Sequence, residues 1–171
     1  MKKQIIILLL VFATVGGFFL RSVSKEKIEI TNQTSSGLSI VDKNSEIHHI
    51  DLAPHIGVPD PEFNELAGGI EKVIIDETRN KVYVMYTLAG SPGRNGLLYE
   101  VQTYDLESQE LWPLTHKGAS VVVNNGELSL SSDSRYLIFS FSGSSSPCGM
   151  SIGSITWDLD QPELQAREEN S

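Results

Sequence analysis

The 171-residue chain predicts an all-β fold, built from antiparallel four-stranded meander units that follow an N-terminal apolar helical segment. Three observations predict it. Beyond the first two dozen residues, apolar side chains alternate with polar ones instead of recurring at helical spacing, which is the period of a half-buried strand. Turn-forming residues stand between the alternating runs. One stretch of the chain also repeats another, residue by residue, at a constant offset.

The leader comes first. Lys2 and Lys3 precede an uncharged apolar run at residues 5–20 that closes at Arg21. This run exceeds the apolar core of an ordinary signal peptide, about 7–15 residues, and falls short of the ~20 that span a bilayer. Ser22-Val23-Ser24 is spaced like a peptidase cleavage site, whereas Arg21, Lys25 and Lys27 are the flank of a retained anchor. Both outcomes stay open. In either case Lys2 and Lys3 hold the N-terminus inside, and the remainder is exported, either released or anchored in the inner membrane by residues 5–20. A periplasmic or other extracytoplasmic location is expected.

The strands then follow in order. GLSIVD (37–42) and EIHHIDL (46–52) form one pair around Asp42-Lys43-Asn44, and EKVIID (71–76) and KVYVMYTL (81–88) form another around Thr78-Arg79-Asn80. LYEVQTYDL (98–106) reverses at Glu107-Ser108, and ASVVV (119–123) meets ELSLSS (127–132) at Asn124-Asn125-Gly126. RYLIFSFS (135–142) follows Asp133-Ser134, and SITWDL (154–159) closes the series. The one helical stretch expected after the leader is a turn or two at residues 61–66.

Thr103-Tyr104-Asp105-Leu106 recurs as Thr156-Trp157-Asp158-Leu159, an offset of 53 residues (103 to 156). The same offset places Tyr83 on Tyr136, Gly90-Ser91 on Gly143-Ser144 and Gly96 on Gly149. The expected divisions are therefore a signal or anchor at 1–24, a linker at 25–36, a β-repeat domain at 37–160 with units at about 70–122 and 123–160, and a polar tail at 161–171.

The formal net charge is −9, and removing Lys2, Lys3 and Arg21 with the leader makes the rest three units more negative. Such a surface repels phosphate backbones and anionic headgroups. No nucleic-acid partner is expected, and no membrane contact beyond the N-terminal segment. Cys148 is the single cysteine, so no disulfide closes within the chain, and its place far from the leader rules out a lipid anchor.

Leu130-Ser131-Ser132-Asp133-Ser134-Arg135-Tyr136-Leu137-Ile138-Phe139-Ser140 resembles the blade motif of WD40-like, TolB-type β-propellers, in which a serine-proline-aspartate-glycine turn leads into an apolar second strand. DETRNKVYV (76–84) is similar to a degenerate copy. Asp105 and Asp158 resemble the aspartates that end the third strand of such blades. Ser132 stands where the family has proline and Ser134 where it has glycine. The resemblance spans about residues 70–160 and implies a binding module that uses no cofactor. It covers two blades and part of a third, fewer than the four or so that close a propeller. The sheets must therefore pack on one another, self-associate, or dock on a partner.

This layout constrains the candidate sites. Gly149-Met150-Ser151-Ile152-Gly153 matches the G-x-S-x-G nucleophile elbow, which needs a strand, a sharp turn and a helix. The offset puts Ser151 on Leu98, at the start of a strand. His116, the last histidine, precedes it, against the order such a triad requires. His48, His49 and His55 make a poor metal set, since adjacent strand residues face opposite ways, and all are expected on the surface. Asp42-Lys43-Asn44-Ser45-Glu46 begins like a calcium loop but has Ile47 where glycine is needed. No metal site is expected. The matched stretches 90–96 and 143–149 read as long loops projecting from one side, and Ser91, Arg94, Asn95, Ser144, Ser145 and Cys148 on them are the expected ligand- or partner-binding residues. The functional expectation is an exported, non-enzymatic module that binds a protein or another envelope component. A hydrolase using Ser151 or Cys148 is the alternative.

Overall fold

A computed structural model describes residues 27–59, 67–90, 97–114, 121–123, 125–146, 149–161 and 166–170. Among them lie three antiparallel sheets, arranged in chain order. The first joins β1 (Glu29–Gln33), β2 (Gly37–Val41) and β3 (Ile47–Asp51). A short helix α1 (Ala53–Ile56) leads away from it.

The middle sheet contains β4 (Gly69–Asp76), β5 (Lys81–Thr87), β6 (Leu97–Asp105) and β7 (Leu111–Pro113), and β8 (Val121–Val123) joins it on β6. Strands β7 and β8 share one edge of β6, pairing with Gln102–Tyr104 and Leu97–Tyr99 respectively. The last sheet joins β9 (Asn125–Leu130), β10 (Tyr136–Ser146), β11 (Gly149–Asp158) and β12 (Ala166–Asn170). The chain is thus mostly β, as expected, but its three antiparallel sheets have three, five and four strands, so the expected four-stranded unit describes the last sheet alone.

Packing explains the sequence pattern of β5. Val82, Val84 and Tyr86 bury against Leu38, Ile40 and Ile50 of the first sheet. Tyr83 and Met85, on the opposite face, bury against Leu128, Leu137, Phe139, Ile155 and Trp157 of the last sheet. A strand covered on both sides reads as a continuous apolar run, and KVYVMYT is buried from Val82 to Thr87. The repeat preserves this orientation: Val84 and Tyr86 face back toward the preceding sheet, and so do their equivalents Leu137 and Phe139.

The outward face of the last sheet is different. Val101 of the middle sheet packs into the core, but Ser154 takes its place one repeat later, beside Thr156, Ser140 and Ser142. The outward face of the first sheet carries Ser39 and His49, whose side chains hydrogen-bond at 2.9 Å. Three layers therefore bury two apolar interfaces, and the outer faces mix polar residues with exposed isoleucines, Ile47 on the first sheet and Ile152 on the last.

Several expectations change. Residues 25–36 do not form a plain linker, because Glu29–Gln33 is β1. That strand is exposed throughout, so no apolar alternation marked it. The C-terminal tail likewise contributes β12 as an edge strand on β11. Ser144 and Ser145 lie on β10 and not in a loop, because β10 and β11 stay paired through Gly143↔Ser151 and reach Ser146↔Gly149. Small residues that resemble a flexible connection here form the arms of a long hairpin. The helical turn expected at 61–66 and the apolar run at 5–20 lie outside the described residues. No helix among the described residues is long and apolar enough to cross a membrane.

Candidate functional site

The turn that follows each of β2, β4, β6, β9 and β11 is held by an aspartate. Asp42 Oδ1 accepts the N–H groups of Asn44 and Glu46, both at 2.8 Å. Asp76 Oδ1 accepts those of Thr78 and Arg79, and Asp105 Oδ1 those of Glu107 and Ser108. Asp133 accepts from the Ser131 hydroxyl and the Arg135 N–H, and Asp158 from the Asp160 N–H. A short acceptor that satisfies turn amides is what such positions select. Ser45, Asn80, Gln109 and Ser134 take positive φ in these turns.

At this end, two recesses open where adjacent sheets meet. The recess between the first and middle sheets, about 460 Å³, is lined by Asp42, Asn44, Glu46, Asn80, Leu106 and Gln109, among others. The recess between the middle and last sheets, about 350 Å³, is lined by Arg79, Lys81, Tyr83, Thr103, Leu159, Asp160 and Gln161. Leu159 and Asp160 are the repeat equivalents of Leu106 and Glu107, so the two recesses are related by the same offset as the strands.

The second recess has an unusual floor. Tyr83 and Thr103 face each other across β5 and β6 and are 1% and 3% exposed. Neither hydroxyl has a hydrogen-bond partner among the described residues. Leaving a buried hydroxyl unmatched costs about 1–3 kcal/mol. Burial, and after it the negative charge of Asp76, pushes the Tyr83 phenol upward, so it stays a neutral donor. At the rim, Arg79 is saturated by Asp76, Asp160 and the Ser134 carbonyl. Lys81 is looser, with its ammonium 3.8 Å from Asp105 and 5.8 Å from the centre of the Trp112 ring. The arrangement can accept an oxygen-rich polar group against two hydroxyls and one ammonium.

The first recess adjoins a mixed cluster. His48 points inward from β3, 3% exposed, with its Nδ1 3.4 Å from the Tyr104 hydroxyl. It is therefore not a surface histidine, while His49 and His55 are exposed. Asp42 lies 3.6 Å from His48 Nε2. Burial alone would raise Asp42, but the main-chain donors of Glu46 and Asn44 outweigh it and hold its pKa below the usual carboxylate range.

Of the residues expected to bind a partner, Ser91, Arg94, Asn95 and Cys148 lie outside the described residues. Ser144 and Ser145 sit near the hairpin end of β10, at the end of the sheets opposite the recesses. Ser151 is inside β11, paired with Gly143, and the strand runs on to Asp158. Strand, and not a sharp turn into a helix, continues after Ser151, which is not the geometry of a nucleophile elbow. The sequence reading missed Tyr83 and Thr103 because a tyrosine and a threonine at strand spacing look like ordinary core, and only the pairing of β5 with β6 brings them together.

No family model matches the chain, and no curated protein matches it. Among solved structures, the WD40 domain of SCAP from fission yeast is similar to it, with 17% identity and a TM-score of 0.29. The likeness covers 85% of this chain and 38% of that one, so the chain spans well under half of that domain's length.

Proposed function

We propose that this chain is an exported, non-enzymatic β-sheet module of the TolB-like propeller type, which binds a protein of the cell envelope at the turn end of its sheet stack. The observation that carries the reading is the recess between the middle and last sheets, where the buried Tyr83 and Thr103 hydroxyls have no partner among the described residues and lie with Lys81 and Gln161. Rigid strands hold these groups ready for a polar segment of the partner, such as a main-chain carbonyl or a side-chain amide. The apolar leader at residues 5–20 supports export. The carboxylates of the five turns are engaged by turn amides, which favours a scaffold role for them over a catalytic one.

The test is mild cross-linking of the full-length protein in its own cell envelope, followed by native mass measurement. The wild type is expected in a particle larger than one processed chain, and Thr103→Val and Lys81→Met are expected to lose it. A monomer of processed mass, or a complex indifferent to both substitutions, would remove this reading.

A further inference from the structure

We propose that Asp42, Glu46 and His48 form a binding site for a divalent transition-metal ion of the zinc class. One ligand atom from each of the three residues lies within 4.8 Å of those from the other two. They come from one hairpin. Asp42 and Glu46 bracket the turn between β2 and β3, closed by the Asp42 N–H donating to the Glu46 carbonyl at 3.0 Å. His48 follows two residues later, on the inward face of β3 opposite Ile40.

The imidazole is the decisive member. His48 has a side chain only 1% exposed, and its Nε2 has no hydrogen-bond partner among the described residues. Asp42 Oδ2, at 3.6 Å, is too far for a hydrogen bond. That separation is instead close to the edge of a tetrahedral metal site: ligand bonds of about 2.1 Å place two donor atoms about 3.4 Å apart. A cation between them converts an unmatched nitrogen and a neighbouring carboxylate oxygen into a ligand pair.

Supporting contacts hold each ligand. Asp42 Oδ1 is fixed by the Asn44 and Glu46 amides, and Oδ2 accepts a 3.2 Å bond from the Asn44 side chain. Tyr104 stands behind the other imidazole nitrogen, and Gln109 donates to Glu46 Oε1 at 3.2 Å. Such outer contacts orient metal ligands. Lys43, the nearest cation in sequence, sends its ammonium to the Glu77 carbonyl. The adjoining recess leaves room for water as a fourth ligand. Calcium and magnesium prefer all-oxygen sets, so a buried imidazole selects the zinc class.

The test uses the full-length protein stripped with chelator and titrated with zinc chloride by calorimetry and with cobalt chloride by visible absorption. Saturable one-to-one binding is expected, with a cobalt ligand-field band and a zinc-dependent rise in Tm. Glu46→Gln, an exposed change that leaves the fold intact, is expected to weaken binding at least about 10-fold, and His48→Gln to abolish the cobalt band. If His48→Gln does not fold, Asp42→Asn serves in its place. Binding that is unsaturable, equal in the wild type and Glu46→Gln, or displaced equally well by calcium overturns the proposal.

Discussion

Arg79 donates a 2.6 Å hydrogen bond to the main-chain carbonyl of Ser134, joining the β4–β5 turn to the β9–β10 turn of the next sheet. The same guanidinium meets Asp76 at 2.9 Å and Asp160, and Asp160, the larger influence, keeps it firmly protonated. One side chain therefore ties three turns across a sheet junction. The Asp76 side chain is only 1% exposed, so removing its cation strands a buried carboxylate. Arg79→Ala is expected to lower stability by about 2–3 kcal/mol, read as a drop in the urea midpoint. An unchanged midpoint would mean that the turns hold their positions independently.

The two unmatched hydroxyls predict an opposite result on the free protein. Tyr83→Phe and Thr103→Val each delete a buried hydroxyl that makes no bond among the described residues. Each is expected to leave the isolated fold unchanged or up to about 1 kcal/mol more stable, while cross-linking to the partner falls. Loss of stability in both variants would show that the hydroxyls have structural work in the fold.

Gly126 on β9 lies directly against the core. A Cβ there would stand 2.5 Å from Phe139 Cε2 and 3.3 Å from Tyr99 Cε1. Phe139 is 2% exposed and fixed between layers. Gly126→Ala is expected to destabilise by about 1–3 kcal/mol through overpacking, seen as a lower Tm. The double variant with Phe139→Leu should recover part of that loss.

Acid should loosen the turn end first. Asp42, Asp133 and Asp158 all sit below the ordinary carboxylate range. Burial raises Asp42, but the Glu46 and Asn44 amides win. Asp133 is lowered chiefly by the Ser131 hydroxyl, and Asp158 by Arg135. A carboxylate with a depressed folded pKa contributes stability above its unfolded value, about 4, and that contribution is lost as pH falls through the folded value. Urea midpoints should thus hold near neutral pH and fall below about pH 4, less steeply in Asp42→Asn. Identical slopes would place the acid sensitivity elsewhere.

The meander was legible because strand period and turn chemistry agree, and because the repeat carries face orientation along with it. Val84 and Leu137 are equivalent in sequence and equally inward in space. The edges were not legible: β1 is exposed throughout, and Ser144 and Ser145 have the composition of a loop but lie on β10, where its register with β11 shifts between Gly143 and Ser146. His48 shows the limit most plainly. Two adjacent histidines must face opposite ways, but which one turns inward is a matter of register, set by Ile40 and Ile50 settling into the core. The site at Asp42, Glu46 and His48 needed that register, since one segment alone reads as a failed calcium loop and the other as surface imidazoles.

The middle sheet is covered on both faces, and the two covers arrive at different times. As the chain emerges from its N-terminus, residues 28–56 are available to shield Val82, Val84 and Tyr86 as soon as β5 forms. Tyr83, Met85, Tyr99 and Val101 must wait until residues 128–157 follow. During synthesis the half-built stack therefore leaves a largely apolar face uncovered until the last sheet follows, an interval in which such a face is prone to association.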